Sequence, residues 1–190
     1  FPMEIWEKYG IAGYNIASYG NTLPITYWAL QNALDYAKPK LVVLDVQGVS
    51  KSYKLSGNSS DVHTAFDCYS ISKTKIEALD DLMDDPNAVD DDGVAYVDMK
   101  WEYLFTLGKY HARWSELTDT DFHPVYNREK GAKSVIAVAD VGDYDLIDED
   151  MATEESGQTG FVYLRKIIED CQARGIEVLL VHLPYPANEQ

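Results

Sequence analysis

Leu41-Val42-Val43-Leu44-Asp45-Val46 is the stretch that decides the fold class. An unbroken Val/Leu run does not alternate, as a strand with one wet face would. It fits a strand of a parallel sheet, covered on both faces. A helical pattern, Ile25–Tyr36, precedes it, and Lys38-Pro39-Lys40 connects the two. The layout recurs at Ile176–Leu183, which follows the helical stretch Phe161–Ala173 through Arg174-Gly175, a C-terminal stop. A third run, Ala12–Ser18, follows a short amphipathic helix with Ile5, Trp6 and Tyr9 on one side and Gly10 at its end, and leads into Tyr19-Gly20-Asn21-Thr22. Helix–strand repetition implies right-handed crossovers and parallel strands. The expected fold is therefore α/β, a three-layer sandwich of flavodoxin-like type around a parallel sheet.

Residues 49–160, between the second and third runs, are far too many for one crossover helix. They read as a long helical and acidic insert. Ser70–Met83 is predicted helical, capped by Ser70 or Ser72, with Ile71, Ile76, Leu79, Leu82 and Met83 at helical spacing. Tyr96–Tyr110 is predicted as a second helix around Trp101, Leu104 and Phe105, and Ser134–Val141 as a weak strand.

The chain has 190 residues, the size of a single domain, and its 46% hydrophobic and 25% charged content exclude a wholly disordered polymer. Sixteen bases against thirty-two acids leave a net charge of −16. That field repels phosphate backbones and anionic lipid, so no nucleic-acid partner is expected and acidic membranes are poor partners. The imbalance lies in two segments, 80–99 and 134–164, each with eight acids and no Lys or Arg. No apolar run approaches the ~20 residues that cross a bilayer, and no basic-then-apolar leader opens the chain. Both ends read as cut: a helix starts at once after Phe1, and a buried-strand run stops just short of Gln190. The chain is therefore expected to be a fragment.

In open parallel sheets, ligands bind beyond the carboxyl ends of the strands. Three such ends are Ser18-Tyr19-Gly20-Asn21, Val46-Gln47-Gly48 and His182-Leu183-Pro184. Their small and amide-bearing residues Gly20, Asn21, Gln47 and Gly48 suit donors to a developing oxyanion, although two glycines at strand exits also make plain turns. His182 reads as a core or rim histidine. In His111-Ala112-Arg113-Trp114, His and Arg two apart in a non-helical segment point the same way, and Arg113 with Trp114 can hold an anionic or sugar group. The plainer alternative is Arg113 stacked on Trp114 and paired with Glu116. Asp84–Gly93 fails as a calcium loop, because Val89 and Asp90 stand where a ligand and a glycine are required. Cys68 and Cys171 match no zinc or redox spacing. A disulfide between them is left open. No metal and no cofactor are expected. Fourteen tyrosines suit either sugar stacking or half-buried packing.

Trp6-Glu7-Lys8-Tyr9-Gly10-Ile11, Gly13-Tyr14-Asn15-Ile16-Ala17-Ser18, Lys38–Asp45 and Arg174–Val181 together resemble the SGNH (GDSL-like) hydrolase superfamily. The likeness is to its cell-surface branch, related to the teichoic-acid D-alanyl transfer protein and alginate O-acetyltransferases. It covers most of the chain except the acidic insert. The resemblance implies a single SGNH-like domain over 1–190 in which strands 12–18, 41–46 and 177–183 are neighbours, with 41–46 central. It implies acyl-ester hydrolysis or acyl transfer on cell-envelope polysaccharide, outside the cell or at its surface. Gly20 matches the family's second-block glycine, and Gln47-Gly48 stand where the family has Gly-x-Asn-Asp. The nucleophilic serine and the Asp-x-x-His pair have no counterpart in these residues, so the chain alone is expected to be inert. A non-catalytic glycan- or protein-binding module on the same scaffold is the alternative reading.

Overall fold

A computed structural model of the chain describes residues 2–18, 21–50, 55–89, 93–123, 130–131 and 154–182. The chain folds as two compact units, residues 18–104 with 143–190 and residues 1–17 with 105–142.

The larger unit is built on α2 (Leu23–Leu34), which carries no charged side chain and is buried on two sides. Such a helix belongs inside a domain, between layers. On one side Ile25 packs with Val62 and Phe66 of α3 (Leu55–Phe66), Leu79 and Leu82 of α4 (Lys73–Leu82), and Tyr103 of α5 (Lys100–Leu104). On the other, Leu23 and Leu30 pack with Leu44 of β1 (Leu41–Asp45) and with Ile167 and Cys171 of α8 (Glu154–Ala173). The second strand, β2 (Glu177–Val181), pairs with β1 in parallel, with Val42 opposite Val178 and Leu44 opposite Leu180. The parallel pairing of Leu41–Asp45 with Glu177–Val181 thus follows the expected pattern, and the described residues mix helices with a two-stranded parallel sheet, compatible with α/β.

Val42, Leu44 and Val178 face α2 and α8. Leu41, Val43 and Leu179, on the opposite face, are each about half exposed. Among the described residues the pair is therefore covered on one face. Ala12–Ser18 is a correction to the expected strand order: residues 11–18 form no strand. Asn15 supplies the reason. Its Oδ1 accepts from the Ala17 amide at 3.1 Å, a local turn that competes with a strand ladder.

Helix α4 starts where expected, with the Lys75 amide donating to Ser72 Oγ at 3.0 Å. The predicted helix over 96–110 is broken instead into a 3-10 turn at Tyr96–Met99, α5, and α6 (Thr106–Tyr110). Ser134–Val141 lies outside the described residues.

The smaller unit holds α1 (Pro2–Tyr9), α6, a 3-10 turn at His111–Glu116 and α7 (Asp119–Phe122). The Asn15 amide donates to Lys130 O at 2.9 Å, and the Asn15 side chain reaches Gly131 O. Gly131 has φ +81°, and a Cβ there would lie 2.0 Å from Asn15 O. Only glycine fits this crossing.

Candidate functional site

Asp45 ends β1 and shapes the turn after it. Its Oδ1 accepts from the Gln47 amide at 2.9 Å, and the Val49 amide donates to Val46 O at 3.0 Å. These bonds close a 3-10 turn, Gln47–Ser50, directly at the carboxyl end of the strand. One further ladder bond, Val46 N to Val181 O at 2.9 Å, ties β2 to the same end. Helix α8 sits on this turn. A Cβ on Gly160 would lie 1.9 Å from Val49 O, so the helix approaches the turn at a distance only glycine allows.

The amino end of α2 lies at this same edge, because Leu23 shares a cluster with Leu44 and Val49. Thr22 is its N-cap in extended conformation, but among the described residues the Thr22 side chain makes no capping bond, and its buried Oγ1 has no partner. The first turn carries no acid. Just upstream, Ser18 Oγ donates to Asn21 Oδ1 at 2.6 Å. Both α2 and α8 lead into their strands through short connections. They therefore run against the strands, with their amino-terminal halves at the carboxyl edge. Free N–H groups and the positive end of the helix dipole favour negative charge at such a place.

Of the site residues expected from the sequence, Asn21 and Gln47 are half-buried at this edge and Gly48 lies in the turn. Gly20 lies outside the described residues. His182, directly after β2, is exposed rather than a core histidine. His111, Arg113 and Trp114 belong to the smaller unit. There His111 Nδ1 contacts Gly108 O, and Trp114 is 65% exposed. Arg113 donates to Asp121 Oδ1 at 2.7 Å, so its partner is Asp121 rather than Glu116. Asp121 Oδ2 accepts from the Thr118 amide at 2.8 Å and from its hydroxyl at 2.9 Å. These donors, with Arg113, hold the Asp121 carboxyl below its ordinary range.

Sequence reasoning missed one ordered histidine. His63 is buried, its Nδ1 lies 3.0 and 3.1 Å from the two Asp67 oxygens, and its ring stacks on Tyr103 at 3.8 Å. The i,i+4 spacing of His63 and Asp67 was the available signal. Cys68 and Cys171 are free thiols, the first exposed and the second buried, and burial pushes both up. Among the described residues no group of three or more His, Cys, Asp or Glu side chains could hold a metal, and no helix is long and apolar enough to cross a membrane.

Comparison with family models, with curated proteins and with solved structures finds no match to this chain.

Proposed function

We propose that this chain is the sheet core of an SGNH-like acyl-ester hydrolase or acyltransferase acting on cell-envelope polysaccharide at the cell surface, within a three-layer α/β domain. The observation that carries the reading is the carboxyl edge of the sheet. The uncapped amino end of α2 and the Gln47 turn meet beyond the carboxyl end of β1 in a parallel strand pair. Electropositive backbone beside a side-chain amide is what a tetrahedral oxyanion requires. On this reading a serine outside the 190 residues attacks the acyl carbonyl, and a histidine from an Asp-x-x-His pair, also outside, takes its proton. The Gly20 amide and the Gln47 side chain then hold the oxyanion.

The test is hydrolysis of p-nitrophenyl acetate. The 190-residue chain alone should give no turnover above buffer, whereas the same chain with its flanking sequence should turn over. In that longer protein Gln47→Ala should lower kcat by about 10²–10³-fold, the usual effect of losing one oxyanion donor. Turnover by the short chain that Ser18→Ala abolishes would overturn the assignment.

A second reading, a glycan- or protein-binding module, draws on the exposed Phe105, Trp114 and Phe122 of the smaller unit. Exposed rings are a stacking surface for neutral sugars. Under this reading a neutral polysaccharide quenches the Trp114 emission of an otherwise inactive protein, and Trp114→Ala removes the effect.

A further inference from the structure

The covered face of the strand pair is asymmetric. Leu44 is 6% exposed, yet Leu180, its register partner on the same face, is 43% exposed. The difference comes from what lies beside each strand. α2 and α8 both pack over Leu44, whereas beyond β2 a groove of about 750 Å³ opens. Ile168 and Gln172 of α8 form one wall of it, and Gly175, Glu177, Val178 and Leu180 form the floor. The ladder fixes the backbone at this edge. Glu177 donates to Lys40 O at 2.9 Å and Val181 O accepts from Val46, so residues 177, 179 and 181 turn their N–H and C=O groups toward β1. Those of Val178 and Leu180 therefore point into the groove. Among the described residues nothing pairs with them.

We propose that this edge binds an extended peptide segment of a partner protein by strand addition. Backbone pairing to Val178 and Leu180 supplies the hydrogen bonds. Alternate apolar side chains of the segment fill the space between Leu180 and Ile168. Among the described residues Glu177 is the one charged residue in the lining, and the chain as a whole carries −16. The segment therefore carries a basic residue beside Glu177, and a second copy of this acidic chain is disfavoured there. The inference does not depend on the esterase reading, because its readout is peptide binding and not turnover.

The probe is the capped peptide acetyl-Lys-Val-Ser-Ile-Ser-Val-amide, titrated into the 190-residue chain while backbone amide resonances are followed. Saturable shifts centred on the Val178 and Leu180 amides are expected, with the β1 amides little changed. N-methylation of the peptide on the side that pairs should weaken binding by about tenfold or more, since it deletes donors from the ladder. N-methylation on the other side should leave it unchanged. Exchanging the peptide Lys for Glu should also weaken binding, most strongly at low salt, and Leu180→Asp should abolish it. The proposal is overturned by absence of shifts at millimolar peptide, by indifference to which side is methylated, or by shifts that follow protein rather than peptide concentration, which would mark self-association. If Leu180→Asp unfolds the chain, the methylated pair of peptides decides on the unaltered protein.

Discussion

Asp81 on α4 gathers two donors on one carboxylate oxygen: Trp28 Nε1 of α2 at 2.6 Å and the Tyr163 hydroxyl of α8. Tyr27 stands between them, edge-on to Trp28 at 5.0 Å and to Tyr163 at 5.6 Å, and its own hydroxyl donates to Asp170 at 3.1 Å. Lys166 lies 4.1 Å above the Tyr163 ring. Three helices far apart in sequence are joined by this seam, and its phenols must stay protonated to donate. Burial, followed by Asp170 and Asp81, pushes Tyr27 from 10.0 up to about 12. Burial and the Asp81 bond push Tyr163 up as well. The sign follows directly: a pKa raised on folding stabilises fully below the unfolded value near 10 and is lost as pH rises through the folded one. Urea midpoints should therefore hold to about pH 10 and fall between pH 10 and 12. The double variant Tyr27→Phe/Tyr163→Phe should start lower and show a shallower alkaline fall. A wild-type midpoint that is flat across that window would refute the seam's role.

At the scale of elements, the seating of α8 on the turn after β1 rests on the missing side chain of Gly160. Alanine is the better helix former by about 1 kcal/mol, and at an exposed helix site Gly→Ala would stabilise. Here the added Cβ would lie 1.9 Å from Val49 O and 2.8 Å from Val49 C, both of them backbone atoms. The helix must lift or the turn must shift, and overpacking of this kind costs about 1–3 kcal/mol. Gly160→Ala should therefore destabilise in urea unfolding despite its propensity gain. On the proposed esterase reading it should also lower turnover more than ground-state binding, because Gln47 moves with the turn. A stabilised Gly160→Ala protein would show that the approach is looser than described. Helix α7 shows the opposite economy. Thr118 and Asp121 form a reciprocal capping box that starts a helix only four residues long, and Arg113 adds a third contact.

At the scale of the whole molecule, the net charge sets the response to salt. Exposed pairs such as Lys73–Glu77 at 2.9 Å and Lys100–Asp80 at 2.8 Å each contribute about 0–1 kcal/mol and weaken in salt. Sixteen unbalanced acids repel one another over a screening length that shrinks from about 30 Å at 0.01 M to about 8 Å at 0.15 M. Repulsion outweighs the pairs, so Tm should rise as sodium chloride is raised over this range. A falling Tm would mean that the surface pairs dominate. The sequence by itself determined what local periodicity can encode: two helix–strand units, a serine cap for α4 at Ser70 or Ser72, and Gly10 and Gly175 as helix stops, which the structure places in the left-handed region with φ +67° and +69°. Each depends on residues within a few positions of one another. Helix α3 escaped that reading because Ser56-Gly57-Asn58-Ser59-Ser60 are weak helix formers, although Val62, Ala65 and Phe66 pack in the core. Ala12–Ser18 misled it because an apolar composition says nothing about whether a neighbouring ladder exists. Gln47 was legible as a residue at a strand end and Asn21 only through a strand that does not form, and neither was legible as a neighbour of an uncapped helix start whose buried Thr22 hydroxyl has no partner among the described residues. The parallel run of β1 and β2 is expected from the helical crossovers and their adjacency from the family resemblance, whereas only the tertiary structure decided that neighbourhood, together with the contact of Gly160 with Val49. These follow from which surfaces pack against each other, a nonlocal choice that no short window of residues contains.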